Sequence, residues 1–483
     1  MSGLIQARYD LVYDNDMEMI TLPYWQLVVL MLFAGIMVLD RILLPSVRWY
    51  LKRRVNRVIG EINTRLDIEI RPFQVTRRQA LIEQLVYDEK VIDAAKEYAE
   101  ARKMPIAVAQ QKARKYAKEI IPAFNAYIYF RLGYWLAKKL ARLVYRIRVG
   151  FFDDDKIADV PSDASVVFVM NHRSNMDYVL VSFLVAEKTA LSYAVGEWAR
   201  IWPLQTLIKS MGAFFVRRNS GNPLYRRVLE RYVNMSTRAG VCQAVFLEGG
   251  LTRDGKMRDA RLGFLDYMLR DYHPHSDRDI VFIPVGINYD RVIEDRSLLR
   301  RLDKTVAKRS AWFVMKTTLR FIVKNALLSR KSRWRRFGYA SVNFGQPVSV
   351  KNYCEQQQID FSAIEQSDRF ICVEKLAKGL TDKIKKVVPV LPVALMSEIL
   401  LNNQTRWCSA LELKTQGVQR IKELQLQGAP INIAENTVEN VLGASLDGLI
   451  GRGVVLEQNN LFQVDKTSVE VLAYYANSIE HWQ

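Results

Sequence analysis

An imidazole and a carboxylate stand five residues apart in Asn171-His172-Arg173-Ser174-Asn175-Met176-Asp177, directly after the apolar run Val166-Val167-Phe168-Val169-Met170. On one continuous helix such residues diverge by about 140°, but a turn ahead of the helix folds the histidine back towards the carboxylate. A histidine bonded to a carboxylate has its tautomer fixed and its imidazolium stabilised. It is then a general base for a hydroxyl, worth about 10² to 10⁴ in rate. The plainer reading is that His172 caps a helix and Asp177 neutralises Arg173, and the pair alone does not choose between the two.

Three further blocks carry polar chemistry. Gly212-Ala213-Phe214-Phe215-Val216-Arg217-Arg218 sets two guanidiniums after a short apolar run, and arginine forks fit phosphate oxygens. Glu248-Gly249-Gly250-Leu251-Thr252-Arg253-Asp254-Gly255-Lys256 offers glycines for unusual backbone angles, with amides, a hydroxyl and bases to cradle an anion. Phe282-Ile283-Pro284-Val285-Gly286-Ile287-Asn288-Tyr289 reads as a strand ended by a proline bend. Residues 250–256 also match the phosphate loop G-x-x-x-x-G-K, but Met257 stands where that site needs a magnesium-binding Ser or Thr, so nucleotide hydrolysis is set aside. There is no G-x-S-x-G elbow for a serine acyl-enzyme.

The elements that must hold these blocks follow from periodicity. Strands are expected at 146–152, 165–170, about 244–247, 280–285 and 340–344, with a helix over 178–186, an alternation that predicts an α/β fold. Residues 46–142 are rich in Ala, Lys, Glu and Arg with helical spacing, as in 91–103 and 110–121, and the region after 350 is mostly helical. The expected division is a short tail (1–21), a membrane helix (22–44), a helical domain (45–145), an α/β domain (146–350) and a mostly helical C-terminal domain (351–483).

The apolar run 22–39 would be about 27 Å long as a helix, just enough to span. Asp10, Asp14, Asp16 and Glu18 precede it and Arg41, Arg48, Lys52, Arg53, Arg54 and Arg57 follow, so the positive-inside rule predicts a cytoplasmic main body. In 311–328, Lys316, Arg320 and Lys324 share one helical face among bulky apolar residues, a pattern that suits a helix in the headgroup layer. The whole chain, 483 residues with 49% hydrophobic and 25% charged side chains, is globular in composition. Its 70 basic and 51 acidic residues leave +19, which calls for a polyanionic partner. No helix-turn-helix, RNA-binding or zinc-finger signature is present, so no nucleic acid is expected. Four cysteines without a C-x-x-C pair and only four histidines give no zinc spacing, so no metal is expected.

Taken in order, the four blocks resemble the motifs of the glycerolipid acyltransferase family, most closely its membrane-bound glycerol-3-phosphate branch. His-Arg-Ser-x-Met-Asp-Tyr begins at His172, Gly-Ala-Phe-Phe-x-Arg-Arg at Gly212, the Glu-Gly-Gly block at Glu248, and Pro284 centres the fourth. The likeness continues into Val471-Leu472-Ala473-Tyr474-Tyr475-Ala476-Asn477-Ser478-Ile479-Glu480-His481, and departs at Leu251, where the family carries an arginine, and at Thr252, where it carries a serine. The resemblance implies an acyltransferase domain with a largely parallel or mixed sheet flanked by helices. It implies transfer of a fatty acyl group from acyl-CoA or acyl carrier protein to the sn-1 hydroxyl of glycerol 3-phosphate, with no cofactor. His172 is then the base and Asp177 its partner. Arg218, Thr252 and Arg253 hold the acceptor phosphate, Glu248, Gly249, Gly250 and Pro284 shape the site, and Arg217 and Lys256 are weaker candidates. The expected setting is the inner (cytoplasmic) membrane, with the catalytic domain on the cytoplasmic side and anionic lipid as a partner. Alternatives are acylation of dihydroxyacetone phosphate or a lysophospholipid, and, more distantly, a non-catalytic basic protein binding lipid or nucleic acid.

Overall fold

The computed structural model describes residues 70–150, 160–186, 189–196, 199–200, 202–217, 220–300, 337–431, 433 and 437–482, together with 23–26, 28–29 and 31. The chain divides into two units, 1–64 and 65–483. Of the first, Tyr24, Trp25 and Gln26 are helical. No described helix is long and apolar enough to cross a membrane. Most of the apolar run 22–39, all of the basic segment 311–328, and Arg218 lie outside the described residues.

The second unit is built on a mixed sheet of eight strands: β1 (Arg146–Gly150), β2 (Ser165–Met170), β3 (Ser192–Gly196), β4 (Phe214–Val216), β5 (Gln243–Phe246), β6 (Ile280–Tyr289), β7 (Tyr339–Phe344) and β8 (Val348–Ser349). The order is β1-β7-β6-β2-β5-β3-β4, with β8 on β6. Neighbours run parallel except where β7 and β8 pair antiparallel with β6. β2 and β6 are buried along their whole length, as strands covered on both faces must be.

Side chains alternate across a strand, and β2 divides its residues accordingly. Val167 and Val169 join one core with helices Arg78–Val86, Glu89–Ala101, Ile106–Ile120, Pro223–Arg238 and Gln366–Val387; Val166, Phe168 and Met170 join the other with Met176–Val185, Pro392–Asn402 and Val469–Ala476. The helices before residue 145 and after 350 therefore cover the two faces of one sheet, and the boundaries expected at 145 and 350 fall inside a single compact unit.

One expectation is corrected. β6 does not end at Pro284 but runs on to Tyr289. On one edge its Val281 and Phe282 pair with β8 and its Val285 to Tyr289 with β7, and Pro284 sits between the two ladders, its carbonyl accepting the Gly345 amide at 2.7 Å. A residue without an N–H costs nothing at such a gap. The C-terminal region also holds a small antiparallel sheet of β9 (Cys408–Ser409), β10 (Val455–Gln458) and β11 (Leu461–Val464).

Candidate active site

Where β2 ends, the Asn171 amide continues its ladder: Nδ2 donates to Ile287 O at 2.9 Å and Oδ1 accepts Ile287 N at 2.8 Å. The chain then turns through residues 172–175 into helix Met176–Val185. Asp177 Oδ2 accepts His172 Nδ1 at 2.8 Å and the amides of Arg173 and Ser174 at 2.7 and 3.1 Å. Free amides at a helix start need such an acceptor. The carboxylate thus closes the turn and holds the imidazole at once. The plainer reading fails on both halves: Asp177, not His172, takes the amides, and the Arg173 guanidinium bonds the carbonyls of Gly255 and Ser478.

The pair is buried, with His172 2% and Asp177 0% exposed. The ring of His172 stacks on Phe246 with centroids 3.9 Å apart and meets the edge of Tyr178 at 5.4 Å. Asp177 Oδ1 accepts the Tyr289 hydroxyl at 2.6 Å. Burial, reinforced by the Asp177 charge, holds that phenol well above its ordinary range, so it stays a donor. With Nδ1 committed to Asp177, Nε2 is the nitrogen left to exchange a proton with a ligand.

The third block packs directly against this turn. Glu248 accepts the His172 amide at 2.9 Å and the Arg258 amide at 3.2 Å, and burial raises its carboxyl. Thr252 donates its amide to His172 O at 3.0 Å. Thr252 does not present a free hydroxyl: it is 1% exposed, accepts Gly255 N at 3.1 Å and lies 2.8 Å from Lys256 O. Its expected phosphate contact is corrected to a loop-shaping one, because the turn consumes its hydrogen bonds.

His172 lines a cleft of about 410 Å³ together with Glu248, Gly249, Gly250, Leu251 and Arg253. Arg217 also reaches it, but its guanidinium is clamped by Glu119 at 2.8 and 2.6 Å, a carboxylate shared with Arg200. Lys256 pairs with Glu480 at 2.6 Å. Pro284 is buried in the sheet and absent from the lining. Sequence reasoning missed Arg258 and Arg261, which line the cleft, and Tyr289, Glu119 and Glu294, the last accepting Ser174 Oγ at 2.7 Å. No spacing rule marks these residues, since each acts across a tertiary contact.

The C-terminal segment clasps the same loop. Asn477 Nδ2 donates to Asp254 O at 2.9 Å and Tyr474 Oη to Arg173 O at 3.4 Å. Gly255 has φ +85°, and a Cβ there would overlap the Tyr474 carbonyl. Gly255→Ala is expected to cost about 1–3 kcal/mol and to loosen this clasp, checked by thermal melting and by faster proteolysis after residue 465. At the end of the clasp, burial and the nearby Arg173 and Lys385 charges lower the His481 imidazole from 6.5 to about 4, against a Lys385 backbone hydrogen bond that raises it. Between those values the unfolded chain binds the proton more readily than the folded one. The stability that a neutral His481 supports is therefore whole above pH 6.5 and is lost as pH falls towards 4. Melting temperature against pH should fall less steeply for His481→Gln than for the wild type across that window.

Comparison with known proteins places two segments. Residues 153–288 match the family described as acyltransferase, and residues 324–482 the glycerol-3-phosphate acyltransferase C-terminal region. A glycerol-3-phosphate acyltransferase of Pseudomonas entomophila (strain L48) is 27% identical over 423 residues, 84% of this chain and 49% of that one. One of Pseudomonas paraeruginosa (strain DSM 24068 / PA7) is 26% identical over 445 residues, 89% and 51%. The chain spans about half the length of the curated relatives it matches. The crystal structure of a 1-acyl-sn-glycerophosphate acyltransferase from Thermotoga maritima aligns with a TM-score of 0.30 at 16% identity, covering 52% of this chain and 78% of that one. The four motifs, from His172 to Pro284, fall within the first segment and the likeness at 471–481 within the second, so the resemblance is borne out in both.

Proposed function

We propose that this chain, which joins an acyltransferase segment to a glycerol-3-phosphate acyltransferase C-terminal region, transfers a fatty acyl group from a thioester to the sn-1 hydroxyl of glycerol 3-phosphate, releasing lysophosphatidate. The observation that carries this is the buried His172–Asp177 pair opening onto a cleft lined also by arginines. Nε2 of His172 takes the proton of the acceptor hydroxyl as its oxygen attacks the thioester carbonyl. Asp177 holds the ring and balances the imidazolium. The C–S bond then breaks, and the imidazolium returns its proton to the thiolate.

Tyr178, Val216, Phe246, Phe264 and Leu298 are among the residues lining the cleft, apolar surface suited to the start of an acyl chain. We place the enzyme at the cytoplasmic face of the inner membrane, with acyl-CoA or acyl carrier protein as donor. The support is the +19 charge, which suits anionic lipid and phosphate-bearing donors, and the product itself, which partitions into lipid at about 0.8 kcal/mol per methylene. The test is transfer by purified protein in lipid or detergent, with labelled glycerol 3-phosphate and each donor. Label is expected in lysophosphatidate. Preference for dihydroxyacetone phosphate or lysophosphatidate in kcat/KM would reassign the acceptor, and no transfer to any of these by folded protein would remove the reading.

A further inference from the structure

We infer that Arg258 and Arg261 grip the phosphate of the acceptor. They stand outside the four sequence blocks yet line the same cleft as His172. The ligand chemistry is a phosphate monoester dianion, and the assignment rests on the transferase reading above.

The cleft's cations differ in what they have left to give. Arg217 is held by Glu119, a carboxylate that it shares with Arg200, and the Thr252 hydroxyl is spent on its own turn. Among the described residues the guanidiniums of Arg258 and Arg261 have neither an ion pair nor a hydrogen bond. Two unpaired guanidiniums in one cleft repel each other, and a dianion accepting from both forks relieves that repulsion.

Both are also held in place by their backbones. The Arg258 amide donates to Glu248 Oε2 at 3.2 Å, and the other oxygen of the same carboxylate accepts the His172 amide at 2.9 Å. The Arg261 amide donates to Leu247 O at 2.7 Å. The Arg261 stem crosses the turn at Gly249, where φ is +65° and a Cβ would lie 2.8 Å from Arg261 Cγ. Gly249 is thus the residue that lets this arginine reach over the loop. One buried carboxylate therefore ties the backbone of the proposed base to that of an anion-binding arginine, which suits holding a hydroxyl three carbons from a phosphate beside Nε2.

The test uses the full chain, with Arg258→Gln, Arg261→Gln and Arg261→Lys beside the wild type. Binding of inorganic phosphate and of glycerol 3-phosphate is followed by calorimetry, and transfer is followed with acyl-CoA and with a phosphate-free acyl N-acetylcysteamine thioester. Each Gln variant is expected to weaken both anions by about ten- to a hundredfold. The acceptor kcat/KM should drop by a similar factor with either donor, and Arg261→Lys should retain part of it. Unchanged anion binding overturns the inference. So does a loss seen with acyl-CoA but not with the phosphate-free donor, which assigns the arginines to the donor's phosphates. If the wild type transfers no acyl group, the transferase reading fails by itself, and the calorimetry still decides whether these arginines bind phosphate.

Discussion

His172→Ala is expected to lower acyl transfer by at least about 10²- to 10⁴-fold, the range that one positioned general base supplies. The geometry leaves no substitute. His172 is the histidine lining the cleft among the described residues, and Glu248, the nearest carboxylate in the lining, is already occupied by two backbone amides. The ring fills space between Phe246 and Tyr178, so alanine also leaves a cavity costing about 1–3 kcal/mol. Circular dichroism, a thermal melt and the isosteric His172→Gln separate loss of fold from loss of base. Both variants should be folded and inactive, and wild-type turnover by either would refute the assignment.

Asp177→Asn should be nearly as severe, by about 10²- to 10⁴-fold, for a reason visible in its contacts. Oδ2 accepts three N–H groups, from His172, Arg173 and Ser174, and Oδ1 accepts the Tyr289 hydroxyl. An asparagine can keep its oxygen towards the three amide and imidazole donors only by aiming its NH₂ at Tyr289. The hydroxyl can rotate to accept it. The turn and the imidazole tautomer then survive, and what vanishes is the negative charge that balances the imidazolium. The expected signature is a folded protein whose kcat collapses while acceptor binding by calorimetry changes little. Equal losses in binding and turnover would show that Asp177 is a scaffold for the turn rather than a partner of the base.

The sequence made the chemistry legible where function and local structure coincide. His172, Glu248 and Gly249 lie in turns that follow strands, Asp177 lies in the first turn of the helix after His172, and the strand at 165–170 was read with its observed limits. β3 (Ser192–Gly196) was missed because a short strand buried on both sides has no alternation to announce it. The strand at 280 was ended too early because Pro284 reads as a breaker, and only the two ladders on either side of it show why it is tolerated. Arg217 and Lys256 are weaker candidates in the sequence because a nearby acid could pair with either, and the sequence does not say which acid does. Glu119, 98 residues away, and Glu480 take them out of use.

The sequence by itself therefore determined the pairing of His172 with Asp177, the glycine turn beside it and the alternation of strands and helices. Each of these depends on residues within a few positions of one another, where backbone geometry dictates what meets. The tertiary structure alone decided which cations remain available to an anion, that Tyr289 completes the Asp177 carboxylate, and that Arg173 and Gly255 are clasped by residues 474–478. Those outcomes turn on the desolvation and pairing of groups far apart in the chain, which are set only when packing chooses their neighbours.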